Sequence, residues 1–255
     1  MSALPGPRSQ VADIARQARE LLGQVRESRW PGLEPPAGQR LSPPAAKPAS
    51  APGRREETSP WSSLEEIAQV VSSCTKCPLH ATRTRTVPGE GAMKARLMFI
   101  GEAPGADEDR LGRPFVGAAG QLLDKMIGAM GLSRDQVFIA NTLKCRPPGN
   151  RDPQEDEVAA CLPFLRAQIV LIRPEVICSL GRHATHALLE RKDPLGRLRG
   201  KFFDYRGTPL LPTFHPSYLL RTPADKTAAW KDLQLIMLRL GLTAPGQHPT
   251  QESDR

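Results

Sequence analysis

Four cysteines limit the folds open to this chain. Cys74 and Cys77 form a Cys-x-x-Cys pair in SSCTKCPLH, Cys145 sits in LKCRPPGNR and Cys161 in AACLPFL. A close pair that meets two partners across a long intervening segment is how a chain assembles a four-thiolate cage. Zinc and a four-iron cluster both accept such a cage, and spacing does not separate them. The cage would tie the start of a folded domain to its middle. The fifth cysteine, Cys178, lies inside the apolar run VICSL, where a free buried thiol is ordinary.

Five cysteines without a charged-then-apolar leader argue against secretion and a disulfide framework. No apolar run reaches the roughly 18 residues of a membrane span. A cytoplasmic protein is expected. The net charge of +8 is compatible with a phosphate-backbone partner and does not by itself establish one.

Residues 1–60 differ in character from the rest of the chain. Val11, Ile14, Ala18, Leu21, Leu22 and Val25 recur at helical spacing, which predicts an amphipathic helix near 9–28. It would pack on its own domain or dock on a protein partner. From Trp30 to Pro60 the chain is rich in Pro, Ala and Ser and has too few large apolar residues to offset its ordering entropy, so a disordered linker is predicted. Residues 61–242 read as one globular domain and 243–255 as a disordered tail.

Within the domain, short apolar strands alternate with helices. Strands are predicted at 96–100, 137–140, 176–180 and 210–212. Helices are predicted at 62–73, 118–130, 155–171, 181–189 and 227–240. This is an α/β pattern with a mostly parallel central sheet, and in such sheets the site lies beyond the strand carboxyl ends. Gly101-Glu102-Ala103-Pro104-Gly105, Asn141, Gly181 and His215 all stand there.

These positions suggest chemistry. Glycines after a strand let a ligand approach the backbone closely. The acidic run Asp107, Glu108, Asp109 disfavours a phosphate cradle and suits a neutral heterocycle. Phe115, in the Gly-flanked loop RPFVG, can stack on a base. Asn141 offers a paired acceptor and donor at a strand end. Asn150, in PPGN, is equally a turn residue. In FHPSYLLR, Leu219, Leu220 and Arg221 read as a wedge that enters a duplex beside a phosphate contact, or as packing for the last helix.

Taken together, CTKC, GEAPGADED, GRPFVGAAGQLL, NTLKCRPPGNRDP, SLG and TFHPSYLLR resemble the family 4 uracil-DNA glycosylases, the bacterial and archaeal iron–sulfur type, over about 64–241. The resemblance implies a three-layer α/β/α fold and a structural [4Fe-4S] cluster on Cys74, Cys77, Cys145 and Cys161. It implies hydrolysis of deoxyuridine in DNA to free uracil and an abasic site. A monomer in a bacterial cytoplasm, brought to the nucleoid by its substrate, is expected. Phe115 would stack on the flipped base, Asn141 read its edge and His215 face O2. Asn150 would hold the attacking water, Gly101 and Glu102 would line the pocket with Glu102 among the catalytic groups, and Glu108 would stand near C5.

Physical chemistry agrees with those roles. A stacked uracil is unreachable and must be extruded. Asn141 would accept from N3–H and donate to O4, and cytosine reverses both groups. A neutral His215 would donate to the departing uracil anion. Ala103 stands where other uracil glycosylases carry a water-activating aspartate, so a strong general base is expected to be missing. No basic, His-ending insertion precedes TFHPS, so turnover is expected. Two other functions remain: a nucleic-acid-binding module without cleavage, and a glycosylase with broader substrates among deaminated bases.

Overall fold

The computed structural model describes residues 58–243. The helix expected near 9–28, most of the linker and nearly all of the tail lie outside them.

Six strands form one sheet: β1 (Glu90–Gly91), β2 (Leu97–Gly101), β3 (Phe138–Asn141), β4 (Val176–Leu180), β5 (Phe203–Tyr205) and β6 (Thr208–Thr213). Their order is β1-β3-β2-β4-β6-β5. The four inner strands run parallel, and β1 and β5 close the edges antiparallel. The sequences explain this. LMFIG in β2 and VICSL in β4 are buried at every residue, the pattern of strands covered on both faces.

Helices supply those covers. α1 (Leu64–Ser72) starts at Ser63, whose hydroxyl accepts from Glu66 N at 3.1 Å, while the Glu66 carboxylate accepts from Ser62 N at 2.7 Å. It buries Ile67 and Val71, one turn apart, against α4 (Glu155–Ile172). Pro163 stands inside α4 without breaking it. It is exposed, as is Ala159, whose carbonyl loses its helical donor and faces water instead. α5 (Gly181–Leu189) packs on β2 and β4, and α8 (Lys226–Leu240) on β4 and β6. The fold is a three-layer α/β/α sandwich, as the resemblance implied, around the mostly parallel sheet expected from the alternation of elements.

Shorter elements escaped the sequence reading. The acidic run is not a loop but the body of α2 (Ala106–Leu111), whose first turn is closed by Glu108 accepting from Gly105 N at 3.1 Å. Asp109 is buried and accepts from Thr84 N at 2.9 Å. α3 (Ala118–Ala129) follows, then α6 (Leu195–Leu198) and the β5–β6 hairpin. Last comes α7 (Pro216–Arg221), with His215 as its N-cap. α7 packs against α3, and this corrects the wedge. Leu219 is fully buried and belongs to the core, leaving Leu220 (44% exposed) and the exposed Arg221 to face outward.

Among the described residues no helix is long and apolar enough to cross a membrane.

Candidate active site

The parallel strands β2, β3, β4 and β6 end along one edge of the sheet, and a cleft opens there. Gly101 and Asn141 are register partners at the ends of β2 and β3. Asn141 is 1% exposed, and its Oδ1 has no hydrogen-bond partner. A buried amide oxygen left unpaired costs roughly 1–3 kcal/mol unless a ligand meets it. Here it faces Gly101, where an added Cβ would come within 2.4 Å of it.

Phe115 forms the opposite wall. Its backbone is left-handed, with φ of 52°, unusual for a side chain of this size, and its surroundings hold it there. Arg134 donates to the carbonyls of Pro114 and Phe115. Glu108 Oε1 accepts from Val116 N at 2.8 Å and Gly117 N at 3.0 Å. With Gly105 on its other oxygen, the Glu108 carboxylate clamps two loops together. It lines the cleft, as expected of a group near the base, and it also fixes the Phe115 loop.

His215 lies 5.6 Å from Phe115, ring centroid to ring centroid. Its Nδ1 accepts from Ser217 N at 3.1 Å and contacts Ser217 Oγ at 2.7 Å. A nitrogen that accepts from a backbone N–H carries no proton, so the neutral ring holds its hydrogen on Nε2. Burial, with Arg221 nearby, pushes the imidazole pKa down to about 4. Gly181 makes room for the ring: its φ is +84° and an added Cβ would stand 2.9 Å from His215 Cβ.

The third wall carries charge. Burial, and then the Asp152 carboxylate, push Glu102 up to about 7. Sequence reasoning passed over its neighbours. Arg182 donates to Asp152 Oδ2 at 2.9 Å and to His183 Nε2 at 3.1 Å. Burial lowers the His183 pKa, and its Nε2, which accepts from Arg182, stands 3.3 Å from Asp152 Oδ2. Glu102, Asp152 and His183 bring ligand atoms within 4.8 Å of one another. The Arg182 guanidinium already serves two of the three, which removes the need for a cation. Ala103, read as the position where a base is missing, lines the cleft beside Glu102. Asn150 lines the same cleft, exposed and with φ of 55°, its Oδ1 accepting from Arg146 Nε at 2.7 Å.

A second cavity is lined by Cys74, Cys77, Cys145 and Cys161, all free thiols. Burial raises the pKa of Cys77, Cys145 and Cys161, the last to about 11, so a bound metal is what would deprotonate them. Arg83 Nη1 donates to Cys145 Sγ at 3.4 Å and the Lys144 backbone N–H to Cys161 Sγ at 3.2 Å. Cys178 is buried in β4, outside this cavity.

A family profile described as the uracil DNA glycosylase superfamily matches residues 88–234. A curated type-4 uracil-DNA glycosylase of Sulfurisphaera tokodaii is 51% identical over 183 residues, covering 68% of this chain and 83% of its own. One from Thermotoga maritima is 46% identical over 165 residues, 64% of this chain and 86% of its own. A type-5 uracil-DNA glycosylase of Pyrobaculum aerophilum is 34% identical over 152 residues, 53% of this chain and 67% of its own.

Proposed function

The chain belongs to the uracil DNA glycosylase superfamily and is, with its type-4 relatives, a uracil-DNA glycosylase; from that premise we propose how its cleft works. The observation that carries the reading is the unpaired, buried Oδ1 of Asn141 at the end of β3.

Uracil flipped from DNA enters the cleft and stacks on Phe115, with its edge toward Asn141. Asn141 Oδ1 accepts from N3–H, and its amide donates to O4. Cytosine would present a lone pair to the first and a donor to the second, leaving the pinned carboxamide unpaired, which is a strong penalty in a buried site. The C1′–N1 bond breaks with its electron pair leaving on uracil. His215 Nε2–H donates to O2 as the negative charge grows there, and the ring stays neutral throughout. Asn150 orients a water whose oxygen bonds to C1′, and Glu102 takes the proton that this water releases. The uracil anion is protonated by solvent after release. Leu220 and Arg221 face the DNA beside the vacated base.

The four cysteines would hold a [4Fe-4S] cluster, which supplies a cross-link between the end of α1, the loop after β3 and α4 and takes no part in bond breaking. The same reading has a monomer acting in the cytoplasm where chromosomal DNA lies, and gives residues 1–60 to a protein partner.

The test is a duplex carrying one deoxyuridine, incubated with enzyme and then cleaved by alkali. Scission by the wild type and its loss in Asn141→Ala are expected. An Asn141→Ala enzyme as fast as the wild type would overturn the assignment of the reader. A purified protein that is colourless and holds zinc would overturn the cluster.

A further inference from the structure

Two aromatic rings in the cleft take no part in the steps above: Phe214, the residue before His215, and Tyr218 on α7. Large rings of the core, such as Phe99, Phe138 and Phe164, are buried, whereas these two stay half-exposed. They stack on each other, 5.0 Å apart centroid to centroid with 26° between their planes. The stack continues inward. The Arg199 guanidinium lies 4.9 Å over the Phe214 ring and is itself held by both oxygens of Asp232. The Tyr218 hydroxyl donates to Asp225 Oδ2 at 2.6 Å, which ties down the far end of that ring. A column of guanidinium, ring and ring therefore ends at the cleft with its polar atoms already used. What it offers a ligand is π surface.

The cleft has room for more than the flipped base. Its volume of about 640 Å³ is in the range that holds a drug-sized ligand, well beyond one pyrimidine. Leu195 and the exposed Arg221 line it together with the two rings, so apolar surface and a cation share one cleft. When uracil leaves the base stack, the next base on its strand loses a stacking partner and has a face to spare. We propose that the Phe214–Tyr218 wall is a second base subsite, which stacks the nucleobase next to the flipped uracil on the same strand, with Arg221 serving the phosphate that joins the two nucleotides. This role rests on the proposed reading of the cleft as a uracil site. Phe115 and His215 keep the uracil, and the second subsite begins one residue away, at Phe214. A π face accepts any of the four bases, so the subsite adds affinity without a sequence preference.

The experiment uses the full chain and single-stranded oligonucleotides with one deoxyuridine, so that duplex stability does not enter. In one strand both neighbours carry bases. In two others the 5′ or the 3′ neighbour is a tetrahydrofuran abasic analogue. The wild type should lose about tenfold in kcat/KM when the base on one of the two sides is missing, the size of one aromatic–base stack. Tyr218→Leu keeps an apolar side chain on α7 and removes the ring. It should be about tenfold slower than the wild type on the intact strand and lose nothing more on the stripped one. Tyr218→Phe keeps the ring and should keep the wild-type pattern. A wild type indifferent to both neighbours would overturn the proposal, as would a Tyr218→Leu enzyme as sensitive to the missing base as the wild type. If Tyr218→Leu does not fold, the wild type carries the test. A difluorotoluene nucleoside, which stacks without hydrogen bonding, should restore the lost rate at the neighbouring position, and a failure to restore it would overturn the proposal equally. A wild type that excises uracil from none of these strands would instead sink the reading of the site beneath it.

Discussion

Gly101 and Asn141 face each other so closely that a single methyl group cannot stand between them: a Cβ on Gly101 would lie 2.4 Å from Asn141 Oδ1 and 2.6 Å from Phe115 Cζ. The glycine is where it is because the reader and the stacking ring both pack directly against the β2 backbone, which leaves no room for a side chain.

Gly101→Ala should therefore push the carboxamide and the ring apart without disturbing the core. Both neighbours are held from behind, Asn141 by Lys144 and Phe115 by Arg134, so neither retreats freely. A misplacement of about 1 Å at a reading group costs on the order of 100-fold in rate. Uracil excision at subsaturating DNA should fall by about that factor, while iron content and thermal unfolding stay near the wild type. An alanine variant with undiminished excision would show that the observed positions of Asn141 and Phe115 do not set recognition of the base.

His215 should matter to chemistry more than to binding. Removing a preorganised donor to a developing anion lowers kcat about 100- to 1000-fold. His215→Ala should do this while DNA affinity, measured by gel shift with a non-cleavable analogue, changes only a few fold. Because the folded pKa is depressed to about 4, the ring is neutral across the physiological range and imposes no activity limb there. Its linkage to stability follows the same sign. The native state favours the neutral ring, so that contribution is complete above the ordinary value of 6.5 and is lost as pH falls from there toward about 4. A limb in kcat near 6.5 that disappears in His215→Ala would contradict the tautomer assigned to Ser217.

Glu102 gives the opposite profile. Its carboxyl is raised from 4.5 to about 7. As a proton acceptor it is active only when ionised, so kcat/KM should climb about tenfold per pH unit below 7 and level off above. Glu102→Gln should lower the plateau about 100-fold and abolish that limb. Asp152→Asn removes the like charge and should move the limb to lower pH. For stability the raised carboxyl works the other way: its contribution is present below pH 4.5 and is lost as pH rises through about 7. A limb that Asp152→Asn leaves in place would sink this assignment.

Much of this site was legible because chain order and strand ends fix it. GEAPG, Asn141, Gly181 and His215 each follow an apolar strand, and a parallel sheet brings strand ends to one edge whatever the loops do. What escaped was whatever depends on who meets whom across the fold. The Glu108 clamp on the Phe115 loop stayed hidden because its three backbone donors come from separate loops, two of them beyond Phe115. Leu219 read as exposed because a six-residue helix beginning at proline gives too little periodicity to show an inner face. His183, Asp152 and Lys144 carry no local signal at all. For Lys144 and Asp152 the interest comes from neighbours 24 and 30 residues away, Gln168 and Arg182, and for His183 from Asp152 across the cleft.

The loop that carries His215 hangs on a buried ion pair, and that pair yields a last expectation. Arg199 donates from Nε to Asp232 Oδ2 at 3.0 Å and from Nη2 to Oδ1 at 2.9 Å, and Asp232 is 2% exposed. The same carboxylate accepts from Thr213 Oγ1 at 2.7 Å, two residues before His215, while the guanidinium lies 4.9 Å over the Phe214 ring. Arg199→Met leaves a buried carboxylate with one hydroxyl for company and should cost about 3 kcal/mol in urea unfolding, with a loss of kcat as the His215 loop shifts. Changing both partners, Arg199→Met with Asp232→Leu, removes the orphaned charge along with its partner. It should recover most of that stability and little of the activity, because Thr213 then has nothing to hold it. A double variant as unstable as the single one would show that the latch works through packing and not through charge.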